Sequence, residues 1–234
     1  MPTPDAALPV DAPAGAVLWT GGKDSCLALL RVRERLDLRC LATFVPDPPR
    51  PFRAHPLATM RAQAAALALP HRLLPVREPF AATYEAGIDA LAAEGIEVLV
   101  TGDLDRVAGH PSWIVERAAG RAAVERPLWE EDRAAVLREL VERGVRAVIT
   151  LAPAGGVGAE YVGRALDAAL VEELIARHGE EPAGGGPPFD ACGENGEYHT
   201  CVLDAPGFAR PLALVDPRAE TRGEYRQLVF AAIR

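Results

Sequence analysis

The sequence has almost no lysine or asparagine. Of 25 basic residues only Lys23 is lysine, and Asn195 is the sole asparagine. Cysteine is also scarce: Cys26, Cys40, Cys192 and Cys201 are irregularly spaced, and no Cys-x-x-Cys pair occurs. That excludes a disulfide scaffold and points to a reducing cytoplasm. No apolar run of about 18 residues is present, which excludes a membrane-spanning helix. The opening Met1-Pro2-Thr3-Pro4-Asp5 has no basic segment followed by an apolar stretch, so no secretory signal is expected. A formal charge of −8 argues against non-specific nucleic-acid binding as the main activity. A local basic groove stays compatible with it.

What is present fits one large α/β domain or a domain with a small appendage, since 234 residues at 49% hydrophobic can bury a substantial core. In so Arg-rich a chain, a surviving lysine marks a place where guanidinium is a poor substitute for a compact ammonium. Lys23 falls in a glycine turn and Asn195 in a second glycine-bracketed motif.

Residues 1–14, with prolines at 2, 4, 9 and 13, read as a loose arm. Ala16–Trp19 is a short strand, and a helical pattern follows from Asp24 to Leu36. Leu38–Val45, His71–Val76, Ile96–Val100 and Val145–Leu151 read as further strands. Between them lie helical stretches at 57–69, 80–93, 113–119 and 130–143, with another at 164–178. The alternation predicts a Rossmann-like α/β fold with an open parallel sheet and helices on both faces, spanning 15–150. A smaller C-terminal lobe is expected over 151–234, with strand-like pieces at 199–203, 211–215 and 224–231.

Thr20-Gly21-Gly22-Lys23-Asp24-Ser25 follows the first strand and opens a helix. The glycines permit a sharp turn, and the helix start offers unpaired N–H donors to an anion. Lys23 adds charge, and the Thr20 and Ser25 hydroxyls can donate to phosphate oxygens. Asp24 can cap the helix or help hold magnesium. Neither common phosphate-loop spacing is matched. The segment resembles the Ser-Gly-Gly-x-Asp-Ser loop of the N-type ATP pyrophosphatases, with Thr in place of the first Ser. That superfamily (adenine nucleotide alpha hydrolase-like) cleaves ATP between its α- and β-phosphates on a five-stranded parallel sheet.

A second motif, Asp190 to Thr200, sets Glu194, Asn195 and Glu197 around Gly193 and Gly196, then runs into Tyr198-His199-Thr200. Such a cluster can bind an amine, orient ammonia or act as a general base. It is similar to the signature of the diphthine–ammonia ligase family, as are Gly102 after the fourth strand and Arg126-Pro127-Leu128-Trp129. The resemblance spans about Gly15 to Asp204. It implies an ATP-dependent ligase that adenylates an acceptor carboxylate and forms an amide with ammonia, releasing AMP and pyrophosphate, with ATP and magnesium as cofactors.

On this resemblance Thr20, Gly21, Gly22, Lys23 and Ser25 hold pyrophosphate, and Asp24 places magnesium. Backbone at Phe44-Val45 and Gly102 adjoins the nucleotide. Lys23, Asp24, Glu194 and Glu197 are the expected catalytic residues. Asp103, Trp129, Asn195, Gly196, Tyr198, His199 and Thr200 are expected on the acceptor side. Asp103 and Asp105, ahead of Arg106, His110 and Trp113, depart from the family's usual polar run. The family's acceptor is diphthine on elongation factor 2, and a bacterial member would need another. A homodimer is compatible with the sequence.

Two alternatives stay open: a tRNA-modifying enzyme of the same superfamily, and a non-enzymatic nucleotide binder like the universal stress proteins. Cys192, His199 and Cys201 supply too few ligands for a structural zinc, so no metal is expected there. Cys26 reads as core, and His55, His71, His110 and His178 as solvated or structural.

Overall fold

The computed structural model describes residues 8–50, 52, 54, 56–106, 112–181 and 185–234. The expectations for His55 and His110, and for the first seven residues of the arm, lie outside them.

Five short strands form a parallel sheet: β1 (Ala14–Leu18), β2 (Asp37–Pro46), β3 (His71–Val76), β4 (Val98–Val100) and β5 (Ala123–Glu125). Their order is β3-β2-β1-β4-β5, so β1 is central and the chain reverses direction across it. β1 pairs with β2 through Val17↔Leu41 and with β4 through Ala16↔Leu99. Alternate residues face opposite layers. Ala16, Cys40, Ala42 and Leu99 pack with Ile88 and Leu91 of α3 (Phe80–Ala93) and Ile114 of α4 (Trp113–Ala118). Val17, Leu41, Val98 and Val100 pack on the other side against α1 (Lys23–Val32), α2 (Leu57–Ala66) and α5 (Arg133–Glu142). The doubly wound α/β sheet expected from the alternating pattern is present.

The C-terminal lobe differs from expectation at one point. Strand β6 (Arg146–Pro153), expected to belong to the first body, lies instead in a four-stranded antiparallel sheet. There it sits between β7 (His199–Asp204) and β10 (Tyr225–Val229), with β9 (Arg218–Arg222) outermost. An expected boundary at residue 150 therefore cuts through β6. Residues 147–152 of this strand are buried without interruption, so its sequence reads like a parallel core strand. The fifth parallel strand is β5, whose three residues carry too little pattern to announce it. A two-stranded pair of β8 (Leu214–Val215) and β11 (Ala232–Ile233) completes the lobe. Helix α6 (Ala168–Arg177) shares its core with α1 and α5 through Leu170 and Leu174, so the two lobes are fused along one apolar layer.

In open α/β sheets, ligands bind beyond the carboxyl ends of the strands where strand order reverses. Here that point lies between β1 and β4, whose exits are Thr20-Gly21-Gly22 and Thr101-Gly102-Asp103. Gly102 makes their approach possible: an added Cβ would lie 2.5 Å from the Asp24 carbonyl carbon and 2.7 Å from the Ser25 nitrogen. Both are backbone atoms and cannot swing aside. Gly102→Ala is expected to cost about 1–3 kcal/mol in urea unfolding. An unchanged midpoint would refute this packing.

Candidate active site

The loop after β1 is built to leave donors unused. Gly21 has φ +80°, which turns the chain sharply into α1. Helix α1 starts at Lys23 without a side-chain cap. Among the described residues, the Asp24 and Ser25 N–H groups have no protein acceptor. They sit at the positive end of a ten-residue helix, where an anion is favoured. The Thr20 and Ser25 hydroxyls lie 3.2 Å apart beside them.

The second motif folds over this turn and uses most of its polar groups to hold itself. Glu197 accepts from the backbone N–H of Asp190 at 2.7 Å and of Asn195 at 3.0 Å. Asp190 accepts from the Cys192 N–H at 2.7 Å and from Arg133 Nε at 2.8 Å. The Ala191 N–H donates to His178 Nδ1, Tyr198 Oη donates to the Ala191 carbonyl, and Asn195 Nδ2 donates to the Pro188 carbonyl. Gly193, at φ +84°, and the turn at Gly196, at φ +84°, flank the segment that brings Glu194 to the cavity.

Lys23 joins the two motifs. Its ammonium, 2% exposed as a residue, donates to both Asp24 oxygens at 2.8 Å and to the Cys192 carbonyl at 2.5 Å. Its own N–H donates to Thr200 Oγ1 at 3.0 Å, and the Tyr198 ring lies 5.5 Å from Nζ. Burial alone would lower the affinity of this amine for its proton, but the carboxylate of Asp24 foremost overrides it and Lys23 stays charged.

Between the motifs and the sheet end lies a cavity of about 390 Å³. Leu18, Trp19, Ala42, Met60 and Ile114 give it an apolar floor, while Thr20, Asp24, Ser25, Thr43, Asp103 and Glu194 face it as polar groups. An apolar slot with a few convergent polar groups is the usual form of a small-molecule site. Phe44 and Trp113 form one wall, their ring centroids 5.6 Å apart.

Models of the diphthamide synthase N-terminal domain and C-terminal domain match residues 14–119 and 132–230. The chain belongs to the diphthamide synthase family. It is similar to the diphthine–ammonia ligase of Schizosaccharomyces pombe, 30% identical over 89 residues, which are 38% of this chain and 14% of that protein. The Danio rerio diphthine–ammonia ligase is 30% identical over 90 residues, 37% of this chain and 32% of its own length. The matched stretches thus span a third or less of these curated relatives. A solved chain described as a predicted subunit of tRNA methyltransferase from Methanocaldococcus jannaschii aligns over 82% of this chain and 98% of its own. Its TM-score is 0.42 and its identity 14%, too low to bear on function.

Of the residues singled out in the sequence, Thr20, Asp24, Ser25, Gly102, Asp103 and Glu194 meet at the cavity. Other expected residues do not line it. Lys23 points inward, as a tie between motifs. Glu197 engages both oxygens with backbone, so it shapes the turn instead of facing a substrate. Trp129 stacks under the Arg126 guanidinium at 3.7 Å, and it is Trp113 that reaches the cavity. Val45 is not among the lining residues; Thr43 and Phe44 take that place on β2. Asn195, Tyr198 and Thr200 are engaged within the loop or with Lys23, and Gly196 makes its turn. His199 borders solvent, yet crowding of its ring and then the Lys23 charge hold it below the usual imidazole range. All four cysteines are free and buried, with Cys26 and Cys201 pushed up to about 12 by burial, which makes them unreactive. No cluster of three or more metal-ligating side chains occurs among the described residues.

Glu194 is pushed up to about 7, by burial first and then by the Asp24 carboxylate, with Lys23 partly offsetting both. The folded chain therefore holds a proton there that an unfolded chain releases near the ordinary glutamate value. Stability attached to that proton is present at low pH and lost as pH rises through about 7. Glu194→Gln is expected to raise stability at pH 8 by about 1–2 kcal/mol after allowing for solvent screening, and to change little at pH 4. Equal denaturation midpoints for the two proteins at pH 8 would contradict this environment for Glu194.

Proposed function

We propose that the chain is an ATP-dependent amide ligase. It would adenylate an acceptor carboxylate and amidate it with ammonia, releasing AMP and pyrophosphate. One observation carries the reading: an N–H-rich glycine turn and a half-buried, proton-affine carboxylate from a separate lobe face the same cavity. The matched relatives, named for ligation of diphthine with ammonia, agree with this chemistry.

The Asp24 and Ser25 amides and the Thr20 and Ser25 hydroxyls bind the phosphates and aim the α-phosphorus toward the acceptor. The apolar floor and the Phe44–Trp113 wall accept the flat base. An oxygen of the acceptor carboxylate bonds to the α-phosphorus while the bond to the β-phosphate oxygen breaks. Ammonia then adds to the acyl carbon, and AMP leaves with the bonding electrons. Glu194, which titrates at about 7, takes in its ionised form the proton that the new nitrogen must lose. Excluding water from the cavity protects the acyl adenylate from hydrolysis.

Magnesium commonly binds through one or two carboxylates together with substrate phosphates. Asp24, at the cavity edge with a quarter of its side chain exposed, is a suitable protein ligand. When bound, the ion would neutralise charge on the departing pyrophosphate.

Incubation with ATP, magnesium, ammonium chloride and elongation factor 2 bearing diphthine is expected to yield AMP, pyrophosphate and amide in equal amounts. Glu194→Gln should slow amide formation by about a hundredfold while leaving ATP affinity nearly intact. ADP as the product, or ATP binding lost together with the carboxylate, would contradict the reading.

A further inference from the structure

Gln63 stands in an alanine-rich helix, far in sequence from both motifs, yet it is fully buried. Its amide is saturated. Oε1 accepts from the Trp19 indole N–H at 3.0 Å, and Nε2 donates to the Gly21 carbonyl at 3.0 Å and the Val202 carbonyl at 2.7 Å. Only this amide orientation serves all three partners, since the reverse would set an oxygen against two carbonyls. The Gly21 carbonyl also accepts from the Val202 N–H at 3.0 Å, so it takes two hydrogen bonds.

The consequence lies on the other side of the peptide. The Gly21–Gly22 bond is trans, so its carbonyl and its N–H point in opposite directions. With the carbonyl held by Gln63 and Val202, the Gly22 N–H is turned toward the Thr20 hydroxyl, 3.4 Å away at the cavity. Glycine on both sides of this bond makes a flip cheap. A flipped peptide would present a carbonyl oxygen to any phosphate in the turn. A Cβ on Gly21 would meet Gln63 Oε1 at 2.6 Å, so the amide and the glycine fit each other closely.

We propose that Gln63 is a positioning residue that fixes the Gly21–Gly22 peptide with its N–H toward the phosphate site, tying that orientation to strand β7 of the second lobe. The inference rests on the reading of the turn as a polyphosphate cradle. It separates cleanly from a role in stability alone, because only ligands that place phosphate in the turn should sense the flip.

The test is calorimetric titration of the whole protein with ATP, pyrophosphate and adenosine. Wild type should bind ATP more tightly than adenosine. Gln63→Met, close in volume but without polar atoms, should weaken ATP and pyrophosphate by about tenfold and leave adenosine within about twofold. Gln63→Asn keeps the amide but shortens its reach by one methylene, so it should give a smaller loss of the same pattern, even if Gln63→Met fails to fold. Equal ATP affinity in a folded variant and wild type, or an equal loss for adenosine, would overturn the role of Gln63. Equal affinity of wild type for ATP and adenosine would instead overturn the cradle itself.

Discussion

A buried ammonium cannot stand alone, and the site is organised around that constraint. Lys23 lies beneath the glycine turn with Asp24 on one side and the Cys192 carbonyl on the other. Removing any of these partners would leave charge or a polar atom stranded out of water, at a cost of several kcal/mol. The second motif must therefore close over the first for either to be satisfied. Arg133 extends the same logic, holding Asp190, which accepts from the Cys192 N–H, while the carbonyl of that same residue accepts a hydrogen bond from the Lys23 ammonium. The Lys23 ammonium is buried with three acceptor contacts, a setting suited to a compact point charge and not to the wider guanidinium fork.

This closure brings opposite electrostatic characters together at one cavity. Unpaired amides at the start of α1 favour negative charge, while Asp24 and Glu194 supply it from the protein. Burial first, and then repulsion from Asp24, raises Glu194 to a value suited to proton transfer near neutrality. Lys23 prevents the pair from becoming excessively anionic without itself occupying the ligand space. Gln63 and Gly102 are the mechanical side of the same design, one fixing a peptide and the other permitting two loops to touch.

Much of this was legible in the residues because the turn and the second motif are local. A glycine pair between an apolar strand and a helix specifies its own geometry, and the alternating pattern specified a doubly wound sheet. Long-range partnerships were not legible. Gln63 is a lone amide among alanines, and nothing in its neighbourhood announces three partners from the residue after β1, the turn and β7. Glu197 reads as a catalytic carboxylate until the fold shows two backbone N–H groups within its reach. β6 reads as a strand of the parallel sheet because burial on both faces looks alike in parallel and covered antiparallel sheets. β5 and the polar run of β9 carry too little apolar pattern to register. Trp113, not Trp129, reaches the cavity because packing of α4 on the sheet edge, not the surrounding motif, decides which ring is presented.

The central claim is that the turn after β1 receives the polyphosphate chain on its free amides. Backbone amide NMR of the labelled protein, titrated with pyrophosphate, addresses it most directly. The account predicts that the Asp24 and Ser25 amide protons move downfield as they gain an acceptor, with Gly22 following. Resonances of those three residues that stay in place while shifts gather at the groove of Arg218 and Arg222 would contradict it.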